Sequence, residues 1–429
     1  MSDTTSLEKI EPAILEQAKE LARGAEILPG GLAALAERLQ VAKKKNKPLR
    51  VKLGVDPTFT DLHIGHTVVL RKLRQFQEYG HQVVIIIGGF TARIGDPSGR
   101  DATRPTLTDE EVQSNAKTYL DQIGLVLDLK KTELTNNADW LKPLDLNEII
   151  KLASSVTVNQ LLAKEAFGAR LDKQLPIALH ELLYPILQGY DSVAIKADIE
   201  FGGTDQRFNV LQGREVQMFY GQEPQIVMLM PLLEGTDGEK KMSKTYGNYI
   251  GLKDTPADMF GKSMRIPDNL IVKYFNLATS LSGKEVAAIE TELAQGKNPK
   301  DIKLKLAQQM VSQYHGPLAA ELELENWDKL HSQRSKPSDI PTHKMDFNKE
   351  IDLDTPLFRI LVESELVKGT SEAKRLITEK AVLFNGRLIQ NPNVFLRHML
   401  ADAKENGENE CILQIGRRKW LSLIDKATH

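Results

Sequence analysis

Two short segments of this chain could act together on a phosphate anhydride: His63-Ile64-Gly65-His66 and Lys241-Met242-Ser243-Lys244-Thr245. The first places two imidazoles where a helix is expected to open, and the free N–H groups and dipole of a helix start attract anions. The second sets two ammonium groups three residues apart in a glycine-bounded loop, Gly235 to Gly247. Two cationic devices facing one nucleotide predict an enzyme that splits ATP. Each segment is weak alone, because a His-x-Gly-His at a helix start is often a matter of capping or packing. A Lys-x-x-Lys, likewise, is commonly solvated surface. Their occurrence together, in this order and in these contexts, carries the reading.

With ATP across the switch point of a parallel sheet, Thr58 and His63 fall near the outer phosphates and His66 reaches the ribose. Gly65 lets the backbone approach the purine, because a Cβ there would collide with a ring lying flat on it. Lys241 and Lys244 can neutralise charge developing on a departing pyrophosphate. That role is electrostatic and needs no side-chain base, which suits attack by an already ionised carboxylate. The chain has neither a Gly-x-Gly-x-x-Gly nor a Gly-x-x-x-x-Gly-Lys-Ser loop, so dehydrogenases and P-loop NTPases fit poorly.

A second group suggests what brings the carboxylate. Tyr184, Gln188 and Asp191 stand at i, i+4 and i+7, on one face of a helix. Pro185 suits a helix that begins there. This polar stripe reads either as a solvated helix side or as a pocket in which Asp191 accepts from a ligand hydroxyl. Asp96, in Gly95-Asp96-Pro97-Ser98-Gly99, either binds an ammonium or holds its own loop as an Asx turn. Asp205 and Gln206, past Gly202-Gly203, either meet ribose hydroxyls and a substrate carboxylate or do turn chemistry.

The elements that must position these groups follow from patterning. An apolar strand, Arg50 to Val55, leads through Asp56-Pro57-Thr58 to an amphipathic helix from Thr67 to Tyr79 that stops at Gly80. A second strand, Val83 to Ile87, ends at Gly88-Gly89, completing a βαβ unit. The expected organisation is a helical lead-in at 1–46, a nucleotide-binding α/β region at 47–251 with a mostly helical insert at 115–170, a helical region at 252–331, a Ser/Pro/Lys/Asp-rich linker at 332–354, and a small module at 355–429.

At 429 residues the chain exceeds one core, and its apolar and charged fractions, 41% and 27%, are ordinary. Cys411 is the single cysteine, which excludes intrachain disulfides and a thiolate zinc site. A net charge of −2 argues against indiscriminate coating of nucleic acid. From Thr355 onward, 12 Lys+Arg against 9 Asp+Glu give +3, leaving −5 for the rest. A mildly basic tail suits a structured RNA partner and equally suits solubility. No signal or transit pattern is evident, and no run approaches the ~20 apolar residues needed to span a bilayer. The expected location is cytoplasmic, with no membrane and no DNA partner.

Taken in order, Asp56-Pro57-Thr58, His63-Ile64-Gly65-His66, Gly95-Asp96-Pro97-Ser98-Gly99, Tyr184-x-x-x-Gln188-x-x-Asp191, Gly202-Gly203-Thr204-Asp205-Gln206 and Lys241-Met242-Ser243-Lys244-Thr245 resemble the bacterial tyrosyl-tRNA synthetases. The resemblance runs from about residue 30 to the C-terminus. It implies an α/β fold: a Rossmann-like parallel-sheet catalytic domain with a helical insert, then an α-helical anticodon-binding domain and a small C-terminal α+β RNA-binding domain. It implies L-tyrosine, ATP with Mg2+, and tRNA(Tyr) as partners, no protein-bound metal, and a homodimer formed through the 115–170 insert. By the same resemblance, Tyr184, Gln188 and Asp96 hold the substrate ammonium, Asp191 meets the phenol, Gln206 serves the carboxylate, and Gly54 belongs to the tyrosine pocket. Asp56, Gly65, His66, Gly203 and Asp205 surround the nucleoside. Thr58 and His63 stabilise pyrophosphate, Lys241, Lys244 and Thr245 form a mobile loop, and Asp268 touches the anticodon.

Three positions depart from the family pattern. Lys52, in Val51-Lys52-Leu53-Gly54, stands where many relatives have a tyrosine that shares the phenol contact, and marks a second bacterial branch. Ala92 replaces a frequent glycine, and Thr245 a frequent serine. The rivals are a tryptophanyl enzyme, a small-molecule nucleotidyltransferase and a non-catalytic RNA-binding relative.

Overall fold

The computed structural model describes residues 7–57, 61–96, 108–331, 340–408, 410–416 and 419–426. The chain divides into two compact units, Met1–Glu321 and Leu322–His429.

The first unit is built on a six-stranded sheet. Its strands are β1 (Glu26–Leu28), β2 (Arg50–Val55), β3 (Gln82–Ile87), β4 (Thr132–Asn136), β5 (Ile199–Gly203) and β6 (Ile226–Met230). Their spatial order is β1-β6-β5-β2-β3-β4. All pairs are parallel except β1 with β6. Strands covered on both faces read as continuous apolar runs, and Val83, Val84, Ile85, Val227, Met228 and Leu229 are fully buried. β2 breaks that rule with Lys52, which is as buried as its apolar neighbours. The chain leaves β2 toward β3 on one side and returns as β5 on the other, so the crevice beyond their C-terminal ends is the switch point where open α/β sheets bind ligands.

Three helices position the chemistry. Helix α1 (Ile64–Glu78) follows β2 and ends where Gly80 adopts φ +83°. Helix α2 (Leu179–Ile195) carries the Tyr184 stripe, and α3 (Arg207–Phe219) packs along it. Close approach of the two helices requires Gly189, because a Cβ there would meet Val216 at 2.8 Å. Beyond the sheet, helices Pro256–Met264, Ile271–Ala278, Gly283–Ala294, Pro299–His315 and Pro317–His331 occupy the stretch expected to be helical.

Three expectations for this unit need correction. The lead-in contains β1, whose three residues are too few to show alternation. The insert is not simply helical: Thr132–Asn136 is an edge strand in register with β3, half-exposed throughout and so without an apolar run. Pro185 lies inside α2, which begins at Leu179, with Glu181 Oε1 accepting from the Ala178 N–H at 2.9 Å.

The second unit has a five-stranded sheet ordered β7-β11-β10-β8-β9. Its strands are β7 (Thr342–Met345), β8 (Val382–Phe384), β9 (Arg387–Leu388), β10 (Cys411–Ile415) and β11 (Lys419–Asp425). Helices Leu357–Glu363, Thr370–Thr378 and Leu396–Glu405 supply Leu357, Ile360, Ile377 and Leu396 to its core. The β8–β9 hairpin turns on Asn385 and Gly386, both at positive φ. Within the expected linker, Thr342–Met345 is strand, parallel to β11. Among the described residues, no helix is long and apolar enough to cross a membrane.

Candidate active site

The C-terminal ends of β2 and β5 open into a cleft of about 400 Å³. Gly54, Asp56, His63, Gly65, His66, Gly203, Asp205, Gln206, Lys241, Lys244 and Thr245 all line it. The two cationic motifs therefore share one wall-to-wall space. The stretch that follows the lysine loop is also joined to the His63 turn: Ile64 N–H donates to Ile250 O at 2.9 Å and Leu252 N–H to Leu62 O at 3.1 Å. Thr58 lies outside the described residues.

His63 caps α1 with extended backbone, and its N–H donates to His66 Nδ1 at 3.2 Å. That bond fixes the neutral His66 ring as the Nε2–H tautomer, so Nε2 is the donor left for a ligand. The rings stand 3.9 Å apart. Burial, then the neighbouring His66 and Lys244, push His63 down to about 3, so it is neutral at physiological pH. Its Nδ1 is buried with no hydrogen-bond partner among the described residues. Within the protein, a Cβ at Gly65 would also come within 3.0 Å of His63 Cε1 and Nδ1.

The lysine loop is held from its base. Asn248 Oδ1 accepts from Ser243 N–H at 2.8 Å, while its Nδ2 donates to Asp237 Oδ2 at 2.8 Å. Gly235 must lack a side chain, since its Cβ would meet Asn248 at 2.2 Å. Lys244 pairs with Asp61 at 2.8 Å and Lys241 with Asp205 at 3.6 Å. Lys244 and Lys253 together hold the Asp61 carboxyl below its ordinary range. Both loop cations thus rest on carboxylates at the cleft, where arriving phosphates would compete for them.

The Tyr184 stripe faces inward. Tyr184 and Asp191 are buried and Gln188 half-buried. Tyr184 Oη donates to Asp56 Oδ2 at 2.8 Å, and Thr91 Oγ1 donates to Asp56 Oδ1 at 2.9 Å. Gly88 makes room for that carboxylate, because a Cβ there would meet Asp56 Oδ1 at 1.9 Å. Asp191 accepts from Trp140 Nε1 at 2.8 Å and Asn137 Nδ2 at 3.3 Å. Burial raises its carboxyl to about 7, with Lys52 and these two donors pulling the other way. Asp96 accepts from Gln206 Nε2 at 2.6 Å and Asn209 Nδ2 at 3.2 Å, and Lys164 stands 3.8 Å away. Asp96 and Gln206 therefore belong to one hydrogen-bonded group.

The family described as tRNA synthetases class I (W and Y) matches residues 43–332. The tyrosine–tRNA ligase of Carboxydothermus hydrogenoformans is 47% identical over 94% of this chain and 98% of its own length. That of Moorella thermoacetica is 46% identical over 97% of each. The chain belongs to the bacterial tyrosyl-tRNA synthetases of class I. The fold agrees: a truncated mitochondrial tyrosyl-tRNA synthetase of Aspergillus nidulans superposes with TM-score 0.62 at 20% identity, covering 76% of this chain and 97% of that one. The Archaeoglobus fulgidus synthetase complexed with L-tyrosine gives 0.57 at 21% identity, covering 72% and 99%.

Against the pattern of this synthetase family, Asp268 stands apart from the cleft. It opens the short turn Asp268–Leu270 and pairs with Lys303 at 2.7 Å. Ala92 is buried in the turn Thr91–Arg93. Asp61, Asn248, Asn137, Trp140 and Lys164 escaped the sequence reading, because each meets its partner across a gap that no local motif spans.

Proposed function

We infer that this chain joins L-tyrosine to its tRNA in two steps. A carboxylate oxygen of tyrosine attacks the α-phosphorus of ATP, which enters as its Mg2+ complex. The bond from that phosphorus to the β-phosphate's bridging oxygen breaks, and pyrophosphate leaves. The terminal adenosine hydroxyl of tRNA(Tyr) then attacks the tyrosyl carbonyl and AMP departs.

The observation that carries this reading is the junction at Asp56, a residue that lines the cationic cleft and also accepts from buried Tyr184. ATP lies in the cleft, with Gly203 and Asp205 at its ribose and the nucleoside against Gly65 and His66. Lys241, Lys244 and Thr58 take the charge of the leaving pyrophosphate, with neutral His63 as a donor. Placement of such groups where charge develops accelerates the step without any proton transfer. Tyrosine lies on the α2 side, its ammonium among Asp96, Tyr184 and Gln188, its carboxylate toward Gln206 and its phenol at Asp191. Discrimination against phenylalanine follows because a missing hydroxyl leaves a buried polar group unpaired; synthetases for tyrosine are the stock illustration of that rule.

Asp268 and the module from residue 355 are assigned to tRNA, and the protein to the cytoplasm. A homodimer is assigned through the insert, where Leu146 and Ile150 are 71% and 60% exposed on one helix. ATP–pyrophosphate exchange with each standard amino acid offered singly tests the reading. Exchange with tyrosine alone is expected. Exchange with tryptophan would overturn the pocket assignment, and none at all would remove the enzyme.

A further inference from the structure

Behind the α2 stripe lies an ion pair that neither cationic motif requires. Lys52 and Glu200 are register partners across β2 and β5, and their charged groups meet at 2.9 Å with side chains 0% and 1% exposed. Taking two charges out of water costs several kcal/mol per ion, and an apolar pair of similar volume often serves stability as well or better. A pair placed here therefore calls for a use other than holding the sheet together.

The surroundings are arranged around Glu200. Lys52 Nζ also donates to Ser192 Oγ at 2.8 Å and to the Gln188 carbonyl at 3.0 Å. Glu200 Oε2 accepts from Ser192 Oγ at 3.0 Å and from Gln225 Nε2. Gly213 on α3 leaves the space, since a Cβ there would stand 2.8 Å from Glu200 Oε2 and 2.4 Å from Gln225 Nε2. Every partner but one comes from the buried interior. The exception is half-buried Gln188, whose Nε2 donates to Glu200 Oε1 at 3.2 Å.

That contact has a definite polarity. A carboxylate paired with an ammonium has no proton to give, so it can only accept, and the Gln188 amide must meet it with NH2. The amide oxygen is then turned away from Glu200, and among the described residues nothing donates to it. A substrate ammonium carries donors only and needs an acceptor. Were the amide reversed, its NH2 would face the ammonium and repel it.

We propose that the buried Lys52–Glu200 pair is a positioning device that fixes the polarity of the Gln188 amide, presenting its oxygen to the ammonium of the substrate. This rests on the assignment of Gln188 to the tyrosine ammonium given above. Ser192, Gln225 and Lys52 together keep the carboxylate in place. The position that in many relatives shares the phenol contact here acts through β5 on the amino end of the ligand.

The test is the double variant Lys52→Met/Glu200→Gln, which removes both charges and strands neither. Its probes are L-tyrosine and 3-(4-hydroxyphenyl)propionate, which keeps the phenol and carboxylate but lacks the ammonium. Pyrophosphate exchange should show the tyrosine KM raised about ten-fold, the effect of losing one hydrogen bond to a charged group. The ATP KM and the inhibition constant of the des-amino analogue should stay within about two-fold, inside the spread of an unaffected site. Equal weakening of both ligands would mean a loosened pocket and overturn the proposal, as would an unchanged tyrosine KM. If the double variant does not fold, the isosteric Glu200→Gln alone carries the same comparison with Gln188 in place, and must likewise weaken tyrosine without weakening the analogue. Absence of tyrosine-dependent exchange in the unaltered protein is a separate outcome: it removes the assignment of Gln188 itself.

Discussion

The hydroxyl of Tyr184 donates to Asp56 at 2.8 Å, and this bond joins the buried stripe of α2 to the open nucleotide cleft. Tyr184 comes from the second half of the sheet's crossover pattern and Asp56 from the turn after β2, so the contact spans the switch point. On the proposed placement, the two substrates that must react with each other meet residues that already touch. Effective concentration gained by such placement accounts for a large part of the barrier reduction when reactants are held together.

Replacing Tyr184 by Phe removes that bond and leaves the Asp56 oxygen without its buried donor. The tyrosine KM should rise about ten-fold, the scale of a hydrogen bond to a charged acceptor. The ATP KM should move less, because on the proposed placement the nucleotide meets Asp56 from the cleft side. Titrating each substrate separately in pyrophosphate exchange reads the two effects apart.

Lys244 rests on Asp61 at the cleft. In the proposed role its work begins when pyrophosphate starts to leave, so Lys244→Ala should slow adenylate formation by roughly 10² to 10³. Tyrosine binding measured at equilibrium without ATP should be unaffected. A loss confined to tyrosine affinity would contradict the role assigned to this lysine.

Much of the site was legible because it is local. His63 and His66 lie one helical turn apart, Lys241 and Lys244 sit in one loop, and Tyr184, Gln188 and Asp191 share one helix face. Such patterns survive in sequence because the backbone geometry that unites them is short-ranged. Lys52 with Glu200, Asp61 with Lys244, and Asp191 with Trp140 were invisible for the opposite reason: sheet register and loop closure bring them together. Strands β1 and β4 were missed because edge strands of three and five residues need no continuous apolar pattern. Gly65 was legible as a requirement, but its contact with the His63 ring two residues earlier needed the fold.

Gly65→Ala separates that contact from stability. Alanine is the better helix former by about 1 kcal/mol, so the melting temperature should hold or rise. The new Cβ, at 3.0 Å from two atoms of the His63 ring, obliges that ring to give by a few tenths of an ångström. Adenylate formation should therefore fall by an estimated ~10-fold or more, as expected when a positioned donor is displaced. A variant that melts earlier and reacts normally would show that the glycine serves packing at this site and not the placement of the histidine.

Asp191 gives the pH dependence. Its carboxyl is raised from an ordinary 3.8 to about 7, chiefly by burial. The charges facing it are Lys52 from β2 and Glu200 from β5; the Tyr184 phenol on its own helix, held well above its ordinary range, is neutral. A raised carboxyl pKa means the folded protein keeps a proton that the unfolded chain has released, so this group's contribution to stability is full below the ordinary value. It is lost as pH rises toward about 7. Substrate binding runs the other way, because a carboxylate accepts the phenol hydroxyl best when ionised. The tyrosine KM should fall about ten-fold from roughly pH 6 to 8, as the ionised fraction of such a group grows. Asp191→Asn, which cannot ionise, should abolish that slope while leaving the pH dependence of the ATP KM as it was. Tyrosine binding should also release protons near neutrality, measurable as a buffer-dependent heat in calorimetry, and a pH-independent tyrosine KM with no proton release would remove Asp191 from the phenol site.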